Sequence, residues 1–145
     1  MRTIITYGTF DLFHVGHIRL LRRARALGDR LFVGISTDEF NAQKNKRSIN
    51  DFMARCEIVS ACRFVDGVFA EEHWDQKLSD ITRLSADIFA MGDDWTGRFD
   101  DLSRYCSVVY LPRTEGVSTT QIRNIISQNS LMATEPCRPL DMYCD

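Results

Sequence analysis

The chain has 145 residues, of which 44% are hydrophobic and 26% charged, and its formal net charge is -2. This length suffices for one domain with its own core, and the small negative charge gives no basic excess that would predict nucleic-acid binding. No apolar run approaches the roughly 20 residues that cross a bilayer, and the chain starts in a strand pattern without a signal peptide. We therefore expect a cytoplasmic protein with no membrane or nucleic-acid partner.

Strand and helix patterns alternate along the chain. The first elements are a strand at 2–7, a helix at 16–27, a strand at 30–36 and a polar loop at 36–48, for which a loop with a short helical turn is an alternative. They are followed by a helix at 49–65 capped by Asn50, a strand at 66–70, a helix at 73–85 and a strand at 86–92. The last are a short helix at 99–106, a strand at 107–113 and a helix at 118–127 capped by Ser118. Such alternation is typical of parallel strands joined by crossover helices. We predict an α/β fold: a doubly wound, Rossmann-like, mostly parallel sheet with helices on both faces, in a single domain. Residues 128–145 have two prolines and no periodicity, so they are predicted to be a poorly structured extension of unknown role.

The five cysteines follow no recognisable site pattern. They are Cys56, Cys62, Cys106, Cys137 and Cys144. Their number is odd and no two have CxxC spacing, so we expect neither a zinc site nor a disulfide framework.

The first strand leads into a helix through the segment GTFDLFHVGH, which holds His14 and His17. Ligands of doubly wound folds bind at the carboxyl ends of strands, and free N–H groups at a helix start favour anions. Gly8 allows a close backbone approach and Thr9 adds a hydroxyl, so this turn is predicted to hold a phosphate. The alternatives are a histidine packed in the core and a metal pair with Asp11 as a third ligand.

Three later segments also follow predicted strands. The basic run at 44–47 is either a solvated loop or a set of phosphate ligands. MGDDW at 91–95 offers carboxylates to Mg²⁺ or to substrate hydroxyls, although Mg²⁺ in such sites is held largely by phosphates and water. RTEGVSTT at 113–120 joins an arginine, a glycine loop and hydroxyls at a helix start, and this combination predicts a second anion site.

The segments GTFDLFHVGH, ISTDEFN, RFVDGV, MGDDW and YLPRTEGVSTT occur in this order. Together they resemble the glycerol-3-phosphate cytidylyltransferases of bacterial teichoic-acid synthesis, in the HxGH nucleotidyltransferase superfamily. The resemblance covers residues 2–126 and implies a catalytic domain at 1–127. It also implies that CTP and sn-glycerol 3-phosphate yield CDP-glycerol and pyrophosphate, with Mg²⁺ accompanying CTP. A homodimer is implied as well, with RFVDGV near its interface.

The resemblance further implies the role of individual residues. Catalysis is assigned to His14, His17, Lys46 and Arg113. The nucleotide is assigned to Gly8, Thr9, Phe10, His14, Val15, Gly16, His17, Lys46, Arg63, Gly92, Asp94, Arg113, Thr114, Glu115, Gly116, Val117, Ser118, Thr119 and Thr120. The acceptor is assigned to Asp11, Lys44, Trp74 and Lys77, and no residue is assigned as a metal ligand.

Several alternatives stay open at the level of sequence. Trp74 is also a candidate core residue, and Arg63 with Asp66 a candidate surface ion pair. The apolar residues of RFVDGVF belong either to a dimer interface or to the core. Related functions are transfer to ethanolamine phosphate or to FMN, and a module that binds nucleotide without turnover is a rival of another class.

Overall fold

The computed structural model describes residues 1–132. Its strands are β1 (Thr3–Gly8), β2 (Arg30–Ser36), β3 (Gly67–Glu71), β4 (Ile88–Gly92) and β5 (Ser107–Leu111). Its α-helices are α1 (Val15–Arg25), α2 (Asp38–Gln43), α3 (Phe52–Ser60), α4 (Lys77–Leu84) and α5 (Thr119–Met132). Short 3-10 helices span Trp74–Gln76, Asp93–Trp95 and Asp100–Arg104.

The five strands form one sheet in the order β3-β2-β1-β4-β5, and every neighbouring pair is parallel. The chain builds outwards from β1 to β3 and then returns to the other side of β1 with β4. The doubly wound α/β prediction is thus confirmed. The reversal between β1 and β4 is the point at which such folds bind ligands, outside the carboxyl ends of the strands.

Alternating side chains of the buried strands supply a core on each face of the sheet. Ile4 packs with Leu21 of α1 and Val59 of α3 on one face. Its neighbour Ile5 packs with Ile81 of α4 on the other face. Helices therefore cover both faces, as the sequence predicts.

Local boundaries differ from the prediction where polar side chains cap helices. The predicted loop at 36–48 contains α2, because the Thr37 hydroxyl accepts a hydrogen bond from the Phe40 N–H at 3.1 Å. The cap of α3 is Asp51, which accepts the Ala54 N–H at 2.8 Å, rather than Asn50. Asn50 instead donates its N–H to Asp11 at 2.9 Å, so α3 starts later than predicted. Helix α5 continues past the predicted end at 127, and residues 133–145 lie outside the described residues.

The RFVDGVF segment packs against the chain's own core. Phe64, Val65 and Val68 contact one core cluster and Phe69 contacts the other, which supports the core interpretation of these residues. Arg63 and Asp66 do not form the surface ion pair that the sequence left open as an alternative. Asp66 accepts the Leu31 N–H at 2.8 Å and forms an ion pair with Arg25 at 3.2 Å, while Arg63 is exposed.

The described cysteines Cys56, Cys62 and Cys106 are free, partly buried thiols, and Cys137 and Cys144 lie outside the described residues. No helix within residues 1–132 combines the length and the hydropathy needed to cross a membrane.

Candidate active site

Two adjoining cavities open at the carboxyl ends of the strands. We call them the lysine cavity, about 410 Å³, and the histidine cavity, about 300 Å³. The first is lined by Lys44, Lys46 and Lys77, and the second by His14 and Arg113. Their common wall is formed by Tyr7, Gly8, Thr9, Phe10, His17, Met91, Trp95, Thr119 and Thr120. The two cavities therefore form one cleft at the point where the strand order reverses.

His14 and His17 are held by backbone hydrogen bonds at the start of α1. His14 Nδ1 accepts the Gly16 N–H at 3.0 Å, and His17 Nδ1 accepts the His14 N–H at 3.1 Å. Because both Nδ1 atoms accept, the proton of each neutral ring is assigned to Nε2. A Cβ at Gly16 would lie 2.8 Å from His14 Cε1, so the fold-back of this ring requires glycine. Each imidazole thus keeps one N–H donor for a ligand.

The environment keeps both imidazoles neutral. Burial, with a smaller contribution from the neighbouring His14, lowers the pKa of His17 to about 4. Burial also lowers the pKa of His14. The two rings are stacked with their centroids 3.8 Å apart, a spacing that disfavours two positive charges. Near neutral pH the pair acts as uncharged hydrogen-bond donors.

The low pKa of His17 makes the free energy of unfolding depend on pH. Between pH 6.5 and 4 the unfolded chain binds a proton at His17 that the folded chain does not, so the folded state loses stability as the pH falls. We expect the His17 imidazole to titrate near pH 4 by NMR, and the free energy of unfolding to drop by up to about 3 kcal/mol across this window. The His17→Asn variant should lack this part of the pH dependence. Titration of His17 near 6.5 in the folded protein would contradict the assignment.

The RTEGVSTT segment lines the opposite side of the histidine cavity. Gly116 has a φ of 77°, which glycine adopts without strain, and it turns the chain towards α5. Ser118 caps α5 by accepting the Gln121 N–H at 3.1 Å, as predicted. Arg113 Nη1 lies 4.0 Å from Asp94 Oδ2, and both side chains are half-exposed. The starts of α1 and α5 thus line one cavity, where the helix dipoles favour an anion.

The basic run supplies two lysines of different environments. Lys44 is half-buried, with its Nζ 4.3 Å from the centroid of the Phe40 ring and 3.2 Å from the Ser36 hydroxyl. Burial lowers the pKa of Lys44. Lys46 is exposed at the rim, and Asn45 between them adopts a left-handed φ of 57° that separates the two side chains. The solvated-loop interpretation therefore fails for Lys44.

Asp11, predicted to contact the acceptor, lines the lysine cavity and also holds neighbouring segments in place. Its carboxylate is 4% exposed and accepts hydrogen bonds from the Ile49 N–H at 2.7 Å, the Asn50 N–H at 2.9 Å and Arg123 Nη2 at 2.7 Å. Burial opposes ionisation, but these bonds outweigh it and lower the pKa of Asp11. The ionised carboxylate ties residues 49–50 and α5 to the first turn.

Arg55 is fully buried beneath the cleft. Its guanidinium donates to the carbonyl oxygens of Thr9 at 2.9 Å, Ser36 at 2.7 Å and Asn50 at 3.0 Å, and to the Asp38 carboxylate at 2.8 Å. It therefore joins the ends of β1 and β2 to the start of α3. The sequence prediction gave Arg55 no role.

Most predicted site residues line the cleft. They are Gly8, Thr9, Phe10, Asp11, His14, Gly16, His17, Lys44, Lys46, Trp74, Lys77, Gly92, Asp94, Arg113, Thr114, Val117, Ser118, Thr119 and Thr120. Val15, Arg63, Glu115 and Gly116 line neither cavity. Trp74 is 49% exposed and forms part of the wall, which excludes the core alternative.

Sequence reasoning missed several lining residues. These are Tyr7, Ser36, Glu71, Trp95, Phe99 and Arg123. Ser36 and Glu71 are the last residues of β2 and β3, so the rule that ligands bind at the carboxyl ends of strands could have found them. Arg123 lies on α5 and carries no such signal.

Comparisons with known proteins agree with this geometry. Residues 5–125 match the model of the cytidylyltransferase-like family. The chain is 55% identical over 127 residues to a glycerol-3-phosphate cytidylyltransferase of Bacillus subtilis (strain 168), covering 88% of this chain and 98% of that one. It is 52% identical over 123 residues to the enzyme of the same name from Staphylococcus aureus (strain NCTC 8325 / PS 47), covering 85% and 93%. The crystal structure of a lipopolysaccharide core biosynthesis protein from Thermoplasma volcanium GSS1 has the same fold, with a TM-score of 0.68 at 23% identity and coverage of 79% of this chain and 99% of that one. The chain belongs to the cytidylyltransferase-like family and, within it, to the glycerol-3-phosphate cytidylyltransferases.

Proposed function

We propose that the protein transfers the cytidylyl group of CTP to sn-glycerol 3-phosphate, giving CDP-glycerol and pyrophosphate. The observation that carries the proposal is the cleft itself. Two helix starts and two imidazole N–H donors line one cavity, and a cavity with three lysines adjoins it. The first suits a triphosphate and the second a phosphomonoester.

The reaction needs no protein nucleophile. A phosphate oxygen of glycerol 3-phosphate forms a bond to the α-phosphorus of CTP, the bond from that phosphorus to the bridging oxygen breaks, and pyrophosphate leaves with the electron pair. Charge grows on the oxygens around the α-phosphorus. His14 and His17 donate their Nε2 protons as hydrogen bonds to these oxygens, and Lys46 and Arg113 stabilise the other phosphates.

Mg²⁺ is proposed to enter with CTP. No group of three or more potential ligands lies together among the residues that the structure describes. Asp94 lines the histidine cavity with its carboxylate half-exposed, so it can complete a shell formed mainly by substrate phosphates and water. The ion would neutralise negative charge on the triphosphate.

A pyrophosphate-release assay tests this function against its rivals. CTP and ATP are each combined with glycerol 3-phosphate, ethanolamine phosphate and FMN. We expect turnover with CTP and glycerol 3-phosphate. Turnover with another pair would change the substrate assignment, and binding of CTP without release from any pair would favour a non-catalytic nucleotide-binding module.

The two lysines of the basic run should separate the substrates. Lys44 is half-buried in the wall of the lysine cavity, so Lys44→Ala should raise the KM for glycerol 3-phosphate more than the KM for CTP. Lys46 lies at the rim, so Lys46→Ala should raise the KM for CTP or lower kcat. Steady-state kinetics with each substrate varied in turn checks both. Equal, small effects from the two variants would support the alternative that the basic run is a solvated loop without a role in substrate binding.

We also propose that the protein is a cytoplasmic homodimer. Cytoplasmic location is proposed because CTP belongs to cytoplasmic metabolism. Met53 and Ile58 are exposed on α3, the helix that precedes Arg63 in the chain, and C₂ dimers are the commonest oligomers. Light scattering at micromolar concentration should give the mass of two chains, and Arg63→Glu should shift it towards one, because a reversed charge beside apolar contacts is costly to bury. A fully active monomer would overturn the proposal.

A further inference from the structure

Lys77 is buried in the wall of the lysine cavity, where its ammonium group is enclosed by aromatic rings. The residue is 5% exposed at the start of α4. Its Nζ lies 4.7 Å from the ring centroid of Tyr7 and 5.4 Å from those of Trp74 and Phe99. The Glu71 carboxylate, 4% exposed, lies 2.8 Å from the same nitrogen. We call Tyr7, Glu71, Trp74 and Phe99 the ammonium cage.

The cage is held rigidly by its neighbours. The Tyr7 hydroxyl donates to the buried carboxylate of Asp80 at 2.8 Å, which fixes the ring. The second oxygen of Glu71 accepts the Ser36 hydroxyl at 2.7 Å. The carboxylate is therefore fixed before any substrate enters.

Proteins recognise ammonium ligands with sites in which several aromatic faces surround the cation, here together with one carboxylate. Here the ligand is the chain's own side chain. A buried ammonium loses its hydration, and the carboxylate and the rings offset that loss. A phosphorylated amino alcohol that entered the lysine cavity would carry a second ammonium group. It would find the cage filled and would face the charges of Lys77 and Lys44.

We propose that Lys77 fills this ammonium cage from within the chain, so that the acceptor site rejects phosphorylated amino alcohols and accepts phosphorylated polyols. Lys77 is then a specificity-determining residue. This proposal deepens the function proposed above. Its activity test rests on that function, whereas its binding test does not.

The binding test uses the Lys77→Ala variant and methylammonium chloride, with potassium chloride at the same ionic strength as control. Methylammonium should occupy the empty cage and raise the melting temperature of Lys77→Ala, but not that of the wild type or of Lys77→Ala/Glu71→Gln, which lacks the carboxylate. If Lys77→Ala is unfolded alone, the same comparison is made by its refolding with each salt. An equal response of all three proteins, or no response, would overturn the proposal.

The activity test measures kcat/KM with CTP for glycerol 3-phosphate and for ethanolamine phosphate. We expect Lys77→Ala to shift the ratio towards ethanolamine phosphate by at least about tenfold, the scale of one desolvated cation–π contact. We also expect methylammonium to rescue turnover of glycerol 3-phosphate in Lys77→Ala and not in Lys44→Ala. An unchanged ratio without rescue would overturn the role in specificity. Failure of the wild type to use glycerol 3-phosphate would instead refute the proposed function and leave the binding test standing.

Discussion

His14→Ala and His17→Ala should each lower kcat by about a hundredfold or more, which corresponds to roughly 3 kcal/mol of transition-state stabilisation. Each Nε2–H is a fixed donor, because the Nδ1 atom of the same ring accepts a backbone N–H. Neutral rings bind the ground-state triphosphate weakly and bind more strongly as charge develops. The Kd of CTP should therefore change much less than kcat. Single-turnover kinetics with separate titration of CTP checks both quantities.

The imidazoles also hold the start of α1, so the variants need a structural control. Loss of a helix cap costs about 0.5–2 kcal/mol of stability. His14→Asn keeps an acceptor for the cap but not the Nε2–H, so it should recover stability without recovering kcat. His73→Ala, at an exposed histidine outside both cavities, should leave kcat unchanged. Near-normal turnover in either His14→Ala or His17→Ala would refute the role of that residue.

Arg55→Met should lower the free energy of unfolding by about 3–5 kcal/mol, the scale for breaking a buried charged network. The substitution keeps most of the apolar stem but leaves the carbonyl oxygens of Thr9, Ser36 and Asn50 without their donor. Those carbonyls sit at the ends of β1 and β2 and at the start of α3. The variant should therefore lose activity together with stability, and denaturant titration measures the stability.

Arg104→Met is a matched control, because the same chemical change is made at an exposed arginine. It should change the free energy of unfolding by less than about 0.5 kcal/mol. A similar, small change for Arg55→Met would mean that the network around the guanidinium contributes little to the fold.

The fold was predictable because its signals are local. Short apolar runs such as TIITY alternate with amphipathic segments. Because the connections between parallel strands are short, only a few strand orders are possible. Boundaries were less predictable because caps depend on tertiary contacts. The Asn50 backbone N–H donates to Asp11, which lies 39 residues earlier, and the side chain of Asp51 caps α3 instead.

In the candidate site, too, features set by local sequence were predictable and features set by tertiary contacts were not. The residues of the two phosphate segments lie where motif and strand-end rules place them, because those rules describe backbone geometry. Asp11 is predicted from the sequence to contact the acceptor, and the structure adds that its oxygens accept hydrogen bonds from two backbone N–H groups and from Arg123, which a sequence does not show. The enclosure of Lys77 depends on rings from β1 and from two separate segments beyond β3, so spacing along the chain gives no sign of it.

Because the first turn contacts α5, the cleft is complete only after α5 has been synthesised. Asp11 is bonded to Arg123, 112 residues later, and the Asp11 carbonyl accepts the Thr119 hydroxyl across 108 residues. The histidine turn is synthesised before α5, which supplies one wall of its cavity. A chain that ends before α5 therefore lacks one wall of the phosphate site, and we expect no cytidylyl transfer from it.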